Sequence, residues 1–184
     1  MNKIISVFLA LSILLNVYFI FDNNTNEIDA TGSKISYSLS NLEGDPEQQL
    51  LDIINNSTES LDIAIYNLDD TVISEAILEA NQRGVAIQII TDQEKITNED
   101  SEEIFTSFWE AGIPIKINTE TKMHLKLTIA DQTTVVAGSF NYTDNSSEEN
   151  QELLFSIENT TLATEWNDLF LTLWESDDYT YWTP

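Results

Sequence analysis

The chain has 184 residues, with 7 Lys+Arg against 32 Asp+Glu, a formal net charge of −25 and no cysteine. Such a negative field opposes long-range attraction to a polyanion and lacks the basic footprint of a typical nucleic-acid binder; it suits solubility in a salty or alkaline medium. The missing cysteines exclude disulfides, thiolate nucleophiles and Cys-ligated zinc, while 42% hydrophobic residues with 4 Trp, 6 Tyr and 8 Phe exclude a disordered polymer and suit one domain behind an N-terminal segment.

Met1-Asn2-Lys3 precedes the uncharged run IISVFLALSILLNVYFIF, residues 4–21. As a helix it would reach about 27 Å, close to the hydrocarbon thickness of a bilayer. A signal peptide carries a shorter apolar core and a small-x-small cleavage site, and the best candidate, Ile28-Asp29-Ala30, fails at its first position. Residues 1–21 are therefore expected to be a signal peptide or membrane anchor, with an uncleaved anchor preferred. Lys3 on the short flank predicts an extracytoplasmic domain, membrane-anchored or secreted. Residues 22–34 read as a polar linker, 35–178 as the folded domain and 179–184 as a tail.

Within the domain, Ile35–Leu39 alternates like a strand. Asp45 and Pro46 open a helix at 47–55 as N-cap and first helical residue. Leu61–Tyr66 predicts a strand and Thr71–Arg83 an amphipathic helix closed by Gly84. Val85–Thr91 predicts a β-branched strand, 92–100 a polar loop and 100–111 a helix closed by Gly112. Ile113–Ile117 contains Pro114, which predicts a late start or an edge position. Met123–Ala130, Thr133–Ala137 and Leu153–Ile157 predict strands, and 160–175 a final helix. Strand–helix alternation followed by closely spaced strands implies an α/β fold, a mixed sheet with helices on both faces.

Residues 123–141, MHLKLTIADQTTVVAGSFN, hold the chain's single histidine. On a strand, His124 and Lys126 share a face. Imidazole can serve as nucleophile or proton carrier near neutral pH, and Lys126 supplies a fixed charge for a phosphate oxygen. Gly138 permits close backbone approach to a ligand, and Ser139 and Asn141 add neutral donors. These types together suit a phosphoryl site. Taken singly, each has an ordinary structural role; Asp131-Gln132, for instance, is a common hairpin turn.

His124, Lys126, Asp131, Gly138, Ser139 and Asn141 fill all six positions of HxKxxxxDxxxxxxGSxN, so the stretch resembles the signature of the phospholipase D superfamily. LDIAIYNLDDTVISEAILEANQRGVAIQIITD, residues 61–92, resembles that family's strand–helix–strand with its RGV turn. GSFNYT followed by Asn150-Gln151-Glu152 resembles the single-motif bacterial endonucleases and their mitochondrial relatives. The resemblance spans residues 35–175 and implies a phosphodiesterase fold of the α/β sandwich type. It implies a His124 nucleophile forming a phosphohistidine and a second motif histidine as acid and base, with no metal or other cofactor. One histidine per chain then implies a homodimer. Lys126, Ser139 and Asn141 would bind phosphate, Glu152 would orient the histidine, with Glu148 and Glu149 as competitors, and Asp131 would be more architectural than chemical.

Few cations surround this motif. Outside the anchor and linker they are Arg83, Lys95, Lys116, Lys122 and Lys126; Lys116 and Lys122 could frame the site and Arg83 closes a helix, a thin positive patch that puts DNA in doubt while leaving phospholipid or nucleic acid open as substrate. Leu68 replaces an aromatic residue of many relatives. Two other readings compete: a non-catalytic surface binding module on the same fold, and a calcium-binding acidic loop at Asp144–Glu149, which lacks EF-hand spacing.

Overall fold

The computed structural model describes residues 31–42 and 44–184. The expected anchor at 4–21 and most of the linker lie outside the described residues. Among the described residues no helix is long and apolar enough to cross a membrane.

Among the described residues the first strand is β1 (Lys34–Leu39), followed by α1 (Pro46–Asn56), β2 (Ser60–Ile65), α2 (Thr71–Gln82) and β3 (Ala86–Asp92). A short α3 (Gln93–Ile96), α4 (Glu99–Glu110) and β4 (Ile115–Asn118) come next. The chain closes with β5 (Lys126–Ala130), β6 (Thr134–Gly138), α5 (Asp144–Glu148), β7 (Leu153–Glu158), α6 (Thr160–Glu175) and β8 (Tyr179–Tyr181).

The eight strands form one mixed sheet in the order β1-β7-β6-β5-β2-β3-β4-β8. β2, β3 and β4 run parallel, and the other neighbouring pairs are antiparallel. Residue alternation along β2 splits the interior. Leu61, Ile63 and Ile65 pack beneath α1, α2 and α4 with Leu50, Ile77, Phe105 and Phe108. Ala64 of β2 lies on the opposite face with Ile90 and Leu127, under Leu162, Phe170 and Trp174 of α6. Each such fully buried Leu, Ile or Phe contributes roughly 1.5–3 kcal/mol. Local chemistry agrees with the packing at the helix starts: the Asp45 and Asp70 carboxylates accept the amides of Gln48 and Ile73, capping α1 and α2.

Several expectations change. Residues 179–181 are not a tail. They pair with β4 and cover its edge, and the Trp182 amide donates to the Ile115 carbonyl at 2.9 Å. The linker ends one residue early, because Lys34 already pairs with Glu158. The polar loop after β3 contains α3, opened by Asp92, whose carboxylate accepts the Glu94 amide at 2.9 Å. Residues 144–148 form the helical turn α5 rather than a cation loop, capped by Thr143, and among the described residues no three His, Cys, Asp or Glu side chains gather as metal ligands. The predicted strand at 123–130 forms only from Lys126, so His124 sits on an irregular lead-in.

Candidate active site

The carboxyl ends of β2 and β3 open onto the same edge as the start of β5 and the end of β6. This is where an open α/β sheet offers a crevice for ligand. Tyr66 follows β2, Asp92 ends β3 and His124 precedes β5. The lead-in is fixed by two bonds. The Tyr66 amide donates to the Leu125 carbonyl at 2.9 Å, and the Met123 amide donates to Oδ2 of buried Asp92 at 2.8 Å. His124 is thus held by backbone on both sides although it belongs to no strand.

The His124 ring packs on Tyr66 with centroids 4.2 Å apart and planes tilted by 44°. Nζ of Lys126 lies 3.0 Å from Nδ1 and 3.3 Å from Nε2 of His124, and also donates to the His124 carbonyl at 3.2 Å. Sharing one side therefore survives the loss of regular strand. Desolvation lowers the His124 pKa, with the charges of Lys126 and Lys122 adding to it. Desolvation likewise lowers the Lys126 pKa, against the opposing charge of Glu152. A neutral imidazole with an available lone pair can act as a nucleophile.

The register Leu127↔Ala137 brings the residues after Gly138 beside those before Lys126. Gly138 has φ +154°, and a Cβ there would stand 2.0 Å from the Leu153 carbonyl oxygen. Glycine is thus required by the approach of β7, and not by the approach of a ligand that the sequence reading expected. That approach lets the Ser139 amide donate to the Leu153 carbonyl at 2.9 Å and the Leu153 amide donate back to the Ser139 hydroxyl at 3.1 Å. The Ser139 hydroxyl donates to the Glu152 carboxylate, whose other oxygen accepts from Asn150 at 3.4 Å. Glu152 therefore acts on Ser139 and electrostatically on Lys126; within one protomer it is Ser139, not His124, that it orients. The amide oxygen of Asn141 is buried without a partner. Next to it in sequence, Tyr142 ties the loops together. Its amide donates to the Asn67 carbonyl, and its own carbonyl accepts from Asp69 and Asp70.

Asp131 stands apart. It lies at the far end of β5, where its carboxylate accepts the amides of Thr58, Glu59 and Ser60 at 2.7–3.1 Å. With φ +52° at Asp131 and +51° at Gln132, the pair lies in the three-residue β5–β6 connection, residues 131–133. The carboxylate's bonds tie the α1–β2 loop to the hairpin, an architectural arrangement. Lys116 does not frame the site either. It donates to the Trp174 carbonyl and packs on the rings of Trp174 and Tyr181. Glu148 and Glu149 are exposed at the end of α5. Sequence reasoning missed Asp92, the placing of Lys95 at the site and the contact role of Tyr66. The only signal was the capping pattern of Asp92 ahead of α3. A groove of about 710 Å³ lined by Lys34, Gln49, Asp52, Ser156 and Glu158 opens beside Asp131, at the other end of the sheet.

Residues 50–174 match the family model described as "Cardiolipin synthase, PLD-like domain". The chain is 29% identical over 128 residues to a mitochondrial cardiolipin hydrolase of Chlamydomonas reinhardtii, covering 69% of this chain and 56% of the relative. It is 31% identical over 111 residues to a phospholipase D of Rickettsia prowazekii, covering 60% and 53%. The chain thus spans a little over half the length of these curated relatives. Among solved structures, it is similar to Nuc of Salmonella typhimurium, a phospholipase D family member, with TM-score 0.75, 25% identity and coverage of 82% of this chain and 100% of that one. It is also similar to NucT of Helicobacter pylori, with TM-score 0.69, 25% identity and coverage of 78% and 97%.

Proposed function

Because the chain belongs to the PLD-like domain family, we propose that it is a phosphodiesterase working through His124 in a homodimer. The observation that carries this reading is the chain's only imidazole, set at the sheet's carboxyl edge with a ring nitrogen 3.0 Å from a lysine ammonium. Lys126 neutralises a phosphate oxygen. A ring nitrogen of His124 attacks phosphorus, and the bond to the leaving oxygen breaks. The partner subunit's His124, protonated, gives its proton to that oxygen. The same imidazole, now neutral, takes a proton from water; the resulting hydroxide attacks phosphorus and the P–N bond breaks. Both histidines end as they began, one neutral and one protonated. No second imidazole exists in the chain to divide these roles.

The relatives' printed activities, on cardiolipin and phospholipid, and the nuclease-named folds support phosphodiester substrates of phospholipid or nucleic-acid type. We take residues 4–21 as a signal or anchor that places the domain outside the cytoplasm. Recovery of the full chain in the soluble cytoplasmic fraction would contradict that placement.

The deciding experiment is hydrolysis of bis(p-nitrophenyl) phosphate in EDTA by the wild type and by His124→Ala, with an alkaline quench to preserve a phosphohistidine. The proposal expects turnover and an adduct in the wild type and neither in the variant. Equal rates in the two proteins sink it.

A further inference from the structure

Among the described residues the positive side chains are Lys34, Arg83, Lys95, Lys116, Lys122 and Lys126, in a chain with 32 carboxylate residues. Three of them have structural work away from the motif. Lys34 pairs with Glu158 at 2.6 Å. Arg83 donates to the Ile54 carbonyl at 2.9 Å. Lys116 is bound to the Trp174 carbonyl and two rings. The other three converge on one ring: the ammoniums of Lys126, Lys122 and Lys95 lie 4.8, 4.9 and 5.1 Å from the Tyr66 centroid.

This convergence is built. Asp92 caps α3, which carries Lys95, and the same carboxylate accepts the Met123 amide, which fixes the segment carrying Lys122 and His124. The compensation is partial: the Asp92 carboxylate also faces Lys122, and Glu152 faces Lys126. Lys122 meets Glu94 at 3.6 Å with both side chains exposed, and Lys95 makes no ion pair among the described residues. Exposed pairs of this kind contribute little. Lys126 and Lys122 oppose protonation of His124, against Asp92, so an anion seated among the three lysines supplies counter-charge where it is short. A singly charged phosphodiester needs one cation, and Lys126 supplies it. Lys95 and Lys122 are left over.

Resting on the phosphodiesterase reading of this site, we propose that Lys95, Lys122 and Tyr66 form an anion subsite beside the reacting phosphate. The substrate is then a phosphodiester with a second phosphate next to the scissile one. Beyond these three lysines the surface is acidic, so the site serves two neighbouring phosphates rather than a long polyanion.

The test titrates the full-length protein with inorganic phosphate and with pyrophosphate by calorimetry, independent of turnover. Pyrophosphate is expected to bind about tenfold tighter or more, from two added charge-assisted contacts. Lys95→Gln and Lys122→Gln should each shrink that ratio, whereas Lys34→Gln, which removes the same charge at the other end of β1 and β7, should keep it. Equal binding of the two anions, or a ratio that Lys34→Gln reduces as much as the others, overturns the subsite even if turnover is intact. A lysine-dependent preference in a protein without turnover keeps the subsite and rejects the catalytic reading instead. Displacement of pyrophosphate by vesicles of a bis-phosphate lipid or by a 5′-phosphorylated dinucleotide supports the assignment and identifies the source; displacement by neither overturns the substrate class.

Discussion

Nζ of Lys126 stands 3.0 Å from Nδ1 of His124, so a charged Lys126 donates to a ring nitrogen that must offer a lone pair. Desolvation and the neighbouring charges of Lys126 and Lys122 hold the His124 pKa below its ordinary value of 6.5. Because the chain has one histidine, its ring proton resonance is unambiguous. An NMR titration should place the midpoint below 6.5. Lys126→Gln removes a positive neighbour, so the midpoint should move up. A midpoint that stays put or falls in the variant would show that Lys126 does not set the imidazole's charge.

The Asp131 carboxylate ties two loops together from the far end of β5. Burial works to raise its pKa, and the amide bonds of Ser60, Glu59 and Thr58 together outweigh burial, so it lies below 3.8. Asp131→Ala leaves those amides without their acceptor, at a cost of about 1–3 kcal/mol. Urea unfolding should show that loss, while kcat of the folded fraction stays near wild type. A stable variant with collapsed kcat would place Asp131 in the chemistry.

These two residues mark how far the sequence could be read. Local signals sufficed for the elements: the Asp45-Pro46 start, alternation in β2 and the period of α6 all appear as expected. The motif spacing was legible as a set, yet spacing says nothing about which end of a strand a residue occupies. Asp131 and His124 are seven positions apart, and a strand rises about 3.3 Å per residue, so one motif spans two ends of the sheet. The meeting of Lys95 and Tyr66 was not legible because it comes through the parallel pairing of β2 and β3, a nonlocal contact with no periodic trace. β8 escaped because three residues are too few to show alternation.

At Gly138 the β6 backbone comes close to β7. An added Cβ would meet the Leu153 carbonyl oxygen at 2.0 Å, so Gly138→Ala must push β7 away and break the paired bonds of Ser139 with Leu153. Overpacking of this kind costs about 1–3 kcal/mol. Displacing Ser139 and Glu152 should lower kcat on the order of a hundredfold. Melting temperature and steady-state rates measured together would check both. Unchanged rates in a folded variant would remove Ser139 and Glu152 from the working site.

Asp62 is buried on β2 against α6, where Asn167 donates to it at 2.6 Å. Desolvation raises its pKa from 3.8 to about 6, with the Asn167 bond opposing. Between those values the folded state holds more protons than the unfolded state, so stability falls as pH rises through this window and stays lower above about 6. The full effect is on the order of 3 kcal/mol. Asp62→Asn should therefore be more stable than wild type at pH 8 and show a flatter profile between about 4 and 6. Denaturation at several pH values compares the two; parallel profiles would place the charge cost elsewhere.

The two-histidine reading makes a prediction that no property of a single chain can imitate. If each site needs His124 from both subunits, a dimer with one His124→Ala chain lacks either the nucleophile or the proton carrier. With free subunit exchange, activity follows the square of the wild-type fraction, because only wild-type pairs work. An equal mixture should retain about a quarter of the activity of the same total amount of wild type, against about a half if each chain acts alone. Exchange can be secured by mild denaturation and refolding of the mixture, with the wild type refolded alone as reference. Linear dependence on the wild-type fraction would remove the shared site while leaving His124 as nucleophile, since loss of the pure variant's activity would still stand.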